Sequence, residues 1–181
     1  EEGDVIGETT PEISVNITDN FHVDSETVEM KVNGEKVEVE VYGNESEEIA
    51  VEHSPDKNLT DGSHSVEVFA SDYSGNSMSG TWKFTVDNEV PTFESTDMNP
   101  NPVVVGNKTN ISTEVADENG IENVWIKING KEHDLVESSG KYKTTIAAPN
   151  TSKDYAVNFY ATDEAGNEAN KVEYLEVESP N

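Results

Sequence analysis

The chain has no cysteine and no arginine among its 181 residues. The first absence excludes a disulfide scaffold, including the inter-sheet bridge of antibody-type domains. It does not point to a reducing compartment, because a sandwich of sufficient size folds without disulfides. The second absence belongs to a wider shortage of positive charge. Eleven lysines face 38 acidic residues, and the formal net charge is −27. Nucleic-acid binding needs a basic footprint for the phosphates, so DNA and RNA are excluded as expected partners. Anionic membrane surfaces are disfavoured on the same ground. No apolar run approaches the roughly 18 residues of a membrane span. No segment carries a helical period of useful length. No start Met or signal peptide opens the sequence, which reads as a piece of a longer protein.

What is present is repetition. Ile13–Asp19 returns as Ile111–Asp117, and Lys31–Gly34 returns as Lys127–Gly130. His64–Asn76 returns as Tyr155–Asn167. The order is kept. Two copies of one domain explain this, with expected limits of 1–88 and 89–181. Period-two alternation with β-branched residues at the apolar positions predicts about seven strands in each copy. In the first copy the strands centre on Val5–Ile6, Ile13–Ile17, Val28–Val32, Val37–Val41, Ile49–Val51, Val66–Ala70 and Trp82–Val86. In the second they centre on Val103–Val105, Asn110–Ala116, Glu122–Ile128, His133–Val136, Lys141–Ala147, Tyr155–Thr162 and Val172–Val177. Asn33-Gly34 and Asn129-Gly130 are hairpin signals, since both residue types tolerate positive φ. The segment Asp87–Phe93 reads as a linker, stiffened by Pro91, with a further bend at Asn99–Pro102. The fold class expected is all-β: two tandem antiparallel β-sandwiches.

The turns Ala70–Asn76 and Ala161–Asn167 share the form Ala-Ser/Thr-Asp-x-x-Gly-Asn, and the junction reads Asp-Asn-x-x-Pro-Thr-Phe. These motifs resemble those of the tandem immunoglobulin-like repeats of bacterial and archaeal cell-surface proteins. The resemblance covers both halves. Tyr155 stands where the tyrosine corner of such a sandwich would be, and His64 replaces it in the first copy. The resemblance implies a non-catalytic module of a cell-surface or secreted protein, an adhesive or spacer stalk. Its expected partners are a protein or glycan on a cell surface and neighbouring repeats of the parent chain. Two other readings stay open: a carbohydrate-binding or spacer accessory module of a secreted enzyme, and a segment of a structural envelope layer. Strong acidity favours a salt-loving, archaeal setting, where screening relieves self-repulsion.

No catalytic constellation is present. The four histidines lie in different predicted elements, no nucleophile-elbow pattern surrounds a serine, and no glycine-rich phosphate loop occurs. Two candidate sites remain. In an immunoglobulin-like arrangement, Asp61, Asp87, Asn88, Glu89, Asp117 and Asp163 would gather hard oxygen ligands at the domain junction, as calcium requires. The junction is similar to the cadherin linker in Asn88 and Phe93, with one residue inserted before Pro91. Against this, Asp72 and Asp163 have an ordinary role as turn caps. The second candidate is a face of the second domain. Val124, Ile126 and Ile128 are expected inward, so Trp125 points outward, as do Tyr160 and Tyr174. They would form one exposed aromatic strip suited to a protein or a sugar ring. Cross-strand stiffening of the sheet is the alternative role. Trp82 shares a face with Phe84 and Val86 and is expected to be largely buried. Sequons fall at Asn16, Asn44, Asn58, Asn107, Asn110 and Asn150, six where chance gives roughly three. They carry an expectation of N-glycosylation, with accidental occurrence in a Ser/Thr/Asn-rich chain as the competing account.

Overall fold

A computed structural model describes residues 2–43 and 47–180. The chain divides into two compact units, Glu1–Asn88 and Glu89–Asn181. Among the described residues every regular element is a strand. The first unit holds β1 (Val5–Ile6), β2 (Ile13–Thr18), β3 (Val23–Val32), β4 (Glu35–Val37), β5 (Glu40–Tyr42), β6 (Glu48–His53), β7 (Gly62–Asp72) and β8 (Ser77–Val86). The second holds β9 (Thr92–Asn99), β10 (Val103–Val104), β11 (Lys108–Ala116), β12 (Ile121–Ile128) and β13 (Lys131–Asp134). It continues with β14 (Val136–Ser138), β15 (Lys141–Ala147), β16 (Lys153–Asp163) and β17 (Glu168–Glu178).

Each unit is a two-sheet sandwich. In the first, the order β1-β8-β7-β3-β4 faces the order β2-β6-β5. In the second, β10-β17-β16-β12-β13 faces β14-β15-β11-β9. The topologies superimpose strand for strand, except that β9 has no counterpart among the described residues of the first unit. All pairs are antiparallel save β1 with β8 and β10 with β17. Inward positions follow the period of two. Met30, Ile49, Val51, Val66 and Val86 fill one core, and Ile111, Ile126, Val157, Phe159 and Leu175 fill the other. Asn33, Gly34, Asn129 and Gly130 all have positive φ. They close two-residue hairpins between Val32 and Glu35 and between Ile128 and Lys131.

The structure differs from the sequence reading in two places. Val37–Val41 is not one strand. β4 pairs with β3 in one sheet and β5 pairs with β6 in the other, so the chain changes sheets at Glu38-Val39. The period of two survives this switch, which is why alternation did not reveal it. The second difference is β9. Its inward residues are Phe93, Thr96 and Met98, and a register shift at Glu114/Val115 of β11 puts an uneven spacing between them. A bulge breaks the period that marks a strand. After β9 the chain crosses to the opposite sheet as β10, through cis bonds at Asn99-Pro100 and Asn101-Pro102. Thr109 is fully buried and donates its hydroxyl to the Pro100 carbonyl at 2.8 Å.

At the tyrosine-corner position, His64 and Tyr155 are both buried. His64 Nε2 donates to the Thr60 carbonyl at 2.7 Å. Its Nδ1 then accepts from the Asn33 side-chain amide at 2.8 Å, and the ring stacks on Phe84. His64 thus ties β7 to the β3–β4 hairpin through Asn33 and to the segment just before β7 through Thr60, with one ring nitrogen accepting and the other donating.

Each unit has its own core and few elements shared in sequence, so residues 1–88 and 89–181 expressed separately should each unfold cooperatively with strand-type circular dichroism. Loss of folded signal in both halves would contradict an independent core in each.

Candidate functional site

The sharpest local structure in each unit is the turn that joins its two longest paired strands. Asp72 accepts from the backbone N–H of Asn76 at 2.8 Å and from its side-chain amide at 2.7 Å. Asp163 receives the same pair from Asn167, at 2.8 and 2.9 Å. Backbone bonds from Gly75 to the Asp72 carbonyl and from Gly166 to the Asp163 carbonyl close both turns. Gly75 and Gly166 have φ of 86° and 89°, a region open to glycine at no steric cost. The repeated Asp-x-x-Gly-Asn motif is therefore a hairpin lock. It fixes the register of β7 on β8 and of β16 on β17, each ten paired positions long. The hydrogen bond from the Asn76 side chain holds the Asp72 carboxyl below its ordinary value against an opposing effect of burial.

The acidic residues singled out at the junction have separable roles. Asp61 accepts from the backbone N–H and the side-chain amide of Asn88, at 3.1 and 2.8 Å, pinning the last residue of the first unit. Asp87 is buried, and its N–H donates to the Ile6 carbonyl at 2.9 Å. Glu89 is exposed. In the second unit, Asp117 caps its own turn by accepting from the Asn119 N–H at 2.9 Å. Asp117 and Asp163 lie at one end of that sandwich and bring carboxylate oxygens within 4.8 Å of each other. Asp163 is fully buried, and two like charges so placed attract a cation. This pair has the oxygen chemistry of a hard-metal ligand set.

The aromatic residues are arranged differently from one continuous strip. Trp125 and Tyr160 are register partners on β12 and β16, and their rings stack at 5.2 Å with planes 11° apart. Both are half-buried. Tyr174 shares their outward face and is 64% exposed, but its register partner is Ala156. Tyr160 faces Asn170 instead. Asn158 and Val172 intervene, so Tyr174 stands about two same-face positions away. Register between strands, rather than alternation along one, decides this, and no sequence period reports it. In the first unit the matching positions are Glu29, Phe69, Ser79 and Lys83. The stacked pair is thus particular to the second unit. Glu29 instead takes an ion pair at 2.6 Å from Lys36, which holds its carboxyl below the usual range.

Trp82 also departs from expectation. It packs against the first core but is only half-buried. The chain ahead of β1 continues along β8, with the Gly3 N–H donating to the Lys83 carbonyl at 2.8 Å and the Lys83 N–H donating to Glu2 at 3.1 Å. Trp82 stays half-buried beside that segment.

Of the sequon asparagines, Asn16, Asn58, Asn107, Asn110 and Asn150 are exposed, and Asn44 lies outside the described residues. The Asn107 sequon owes its Thr109 to the buried hydroxyl bond already described. Asn110 accepts a bond from Thr145 at 2.8 Å.

Comparison with known proteins agrees with this architecture. Residues 2–88 match the family model described as bacterial Ig-like domain. No curated protein sequence matches the chain. Among solved structures, the fibronectin(III)-like modules of Clostridium thermocellum CbhA are similar at a TM-score of 0.57 and 12% identity. That match covers 98% of this chain and 90% of theirs. A multidomain titin fragment is similar at a TM-score of 0.59 and 11% identity, covering 98% of this chain and 62% of the fragment. Identities this low speak for the fold alone.

The sign of the Asp72 shift gives a test. A carboxyl depressed in the folded state contributes stability above its unfolded value, and that contribution is lost as pH falls through the folded value. Asp72→Asn should therefore melt lower than the parent at neutral pH, and the gap should close as pH drops below the usual carboxylate range. Relief of overall charge repulsion affects both proteins and cancels in the difference. A gap independent of pH would show that the charge on Asp72 does not support the lock.

The first unit is thus matched by the bacterial Ig-like family model over residues 2–88, and the chain as a whole has the fold of two tandem immunoglobulin-like β-sandwiches.

Proposed function

We propose that the chain is a non-catalytic module of a cell-surface or secreted protein, acting as an adhesive spacer. The observation that carries this reading is the asymmetry between two otherwise matching sandwiches. The scaffold is duplicated down to its hairpin locks. The outward Trp125–Tyr160 stack is not, since Glu29 and Phe69 hold those positions in the first unit. A stacked aromatic pair with a half-open face is a contact surface for a protein side chain or a sugar ring. One unit then serves as spacing and the other as contact. Exposed sequon asparagines suit an extracellular setting with glycans as decoration or partner. The same Trp125–Tyr160 stack favours the second reading, an accessory module that holds a polysaccharide for a secreted enzyme.

A screen of the 181-residue chain against a glycan array and against immobilised cell envelopes separates these. Saturable glycan binding lost in Trp125→Ala supports the accessory module, and envelope or self-association lost in the same variant supports adhesion. Trp125→Ala should cost well below the roughly 3–5 kcal/mol of a core aromatic such as Phe159. A loss of that size on thermal or chemical unfolding would make Trp125 a core residue and remove the contact surface from the proposal.

Calcium is the ion proposed for the acidic residues. Asp117 and Asp163 supply two carboxylates. Glu89 stands three residues before Thr92, and Thr92 pairs with Ala116 next to Asp117. Melting at matched ionic strength should rise more in calcium than in sodium, and Asp117→Asn should abolish the excess. Equal shifts for both ions would leave only screening of the −27 charge.

A further inference from the structure

Asparagine followed by glycine is a reactive pair, because glycine has no Cβ to keep its backbone nitrogen away from the asparagine side-chain carbonyl. The chain has three such pairs, Asn33-Gly34, Asn119-Gly120 and Asn129-Gly130. The first and last are repeat equivalents with one backbone. Asn33 and Asn129 have φ of 53° and 49°, and Gly34 and Gly130 have φ of 81° and 75°. Both asparagines are exposed, and each turn leads into an edge strand, β4 in one unit and β13 in the other.

Their side chains are held differently. The Asn33 amide nitrogen donates to His64 Nδ1 at 2.8 Å, and its amide oxygen accepts the Ser65 N–H at 3.0 Å. The Asn33 N–H also donates to the Ser65 carbonyl at 2.8 Å. In the second unit Tyr155 and Ala156 stand at the places of His64 and Ser65. A phenol ring has no nitrogen to accept the amide. The Asn129 side chain has no hydrogen-bond partner among the described residues. The third pair is braced in another way. Asn119 is half-buried, and its N–H donates to Asp117 at 2.9 Å. The Gly120 carbonyl accepts the Glu164 N–H at 3.3 Å, and the Glu164 side chain fills the space beside Gly120.

The geometry points to Asn129-Gly130 as a site of spontaneous covalent modification, deamidation through a cyclic imide, with Asn33-Gly34 as its protected twin. The Gly130 nitrogen gives its proton to water and attacks Asn129 Cγ. The Cγ–Nδ2 bond breaks, and Nδ2 takes a proton from water and leaves as ammonia. Water then opens the imide. Addition at Cγ gives aspartate in the original main chain. Addition at the main-chain carbonyl carbon gives isoaspartate, with the chain routed through Cβ and Cγ. The sum is amide plus water to acid plus ammonia, with no oxidant or reductant. Attack requires the side-chain carbonyl carbon to swing onto the following nitrogen. Asn129 does so by opening its turn alone. Asn33 must also release its bonds to His64 and Ser65, so matching turns react at different rates. Isoaspartate adds a backbone atom to a turn whose length sets the register of its strands. The pairs nearest the turn, Ile128 with Lys131 and Lys127 with Glu132, are then lost.

The test ages the full folded chain at mildly alkaline pH and follows each asparagine by peptide mapping. Mass spectrometry reads the amide-to-acid conversion, and labelling by an isoaspartyl methyltransferase reads the rerouted product. Asn129 should convert first, with isoaspartate as the main product. Asn33 should convert about tenfold more slowly, the factor that two hydrogen bonds of ordinary net strength impose on a local opening. In concentrated urea the tethers are gone, and the two rates should converge. His64→Tyr gives the first unit the second unit's residue and should speed Asn33 in the folded chain. If that variant does not fold, the urea comparison decides alone. Aged chains, separated by their added negative charge, should exchange β13 amides faster than Asn129→Asp, which has the charge without the extra backbone atom. Equal rates at Asn33 and Asn129 in the folded chain overturn the proposal. So does a difference that persists in urea, conversion at Asn119 ahead of Asn129, or β13 exchange no faster in aged chains than in Asn129→Asp.

Discussion

The register of one hairpin governs each sandwich. β7 with β8, and β16 with β17, are the longest pairs, and each is set at its turn by a carboxylate gripping an asparagine four residues on. A slip of one residue would turn Val157, Phe159 and Leu175 out to water and bring Asn158, Tyr160 and Tyr174 into the core. Every feature described above depends on that setting. The Trp125–Tyr160 stack exists because β12 reads its register from β16. Trp82 stands opposite Val66 because β8 reads its register from β7. The charge of the protein forces the locks to be local. With a net charge of −27, long-range electrostatics oppose compaction, and solvent-facing ion pairs such as the exposed Lys36–Glu29 and the half-exposed Lys141–Glu114 are worth little. Order comes from short hydrogen-bonded turns and from apolar faces.

Duplication then makes function visible as difference. Where the two units agree, at the cores, the Asn-Gly hairpins and the Asp-x-x-Gly-Asn turns, the residues serve the fold. Where they disagree, the fold has left a choice. Glu29 against Trp125 is one such place, and Trp82 against Glu173 is another. The first concerns an outer sheet face and the second an inward-side position of β8 and β17. His64 against Tyr155 is a third difference with a purely structural reading, since the imidazole is satisfied by Asn33 and Thr60.

Much of the architecture was legible because alternation and turn chemistry are local. Val124, Ile126 and Ile128 face inward, and Trp125 outward, as the period of two requires. What escaped was set by pairing between distant segments. β9 has the sequence Thr-Phe-Glu-Ser-Thr-Asp-Met-Asn, and its inward positions are spaced unevenly by the bulge across from Glu114 and Val115. The switch of sheets at Glu38-Val39 leaves no mark in hydropathy. The distance of Tyr174 from the Trp125–Tyr160 stack follows from the offset of β17 on β16. The half-exposure of Trp82 is unmarked by alternation, which puts it on one face with the buried Phe84 and Val86. For the acidic residues, abundance hid the useful ones. Only folding separates Asp61, which grips Asn88, from Asp117 and Asp163, whose carboxylates converge.

The account stands on hairpin register, and a cysteine-free chain allows register to be read by cross-linking. Asn158 and Val172 are register partners on the outer face, while Glu173 points to the inner side with Leu175. Cysteines placed at 158 and 172 have the Cα separation a disulfide needs, and cysteines at 158 and 173 project to opposite faces. Mild oxidation should close the 158/172 pair with the fold retained and leave the 158/173 pair as free thiols. Ready closure of 158/173 in the folded protein, with 158/172 remaining open, would mean that the strands are offset by one residue and that the surfaces described here face the wrong way.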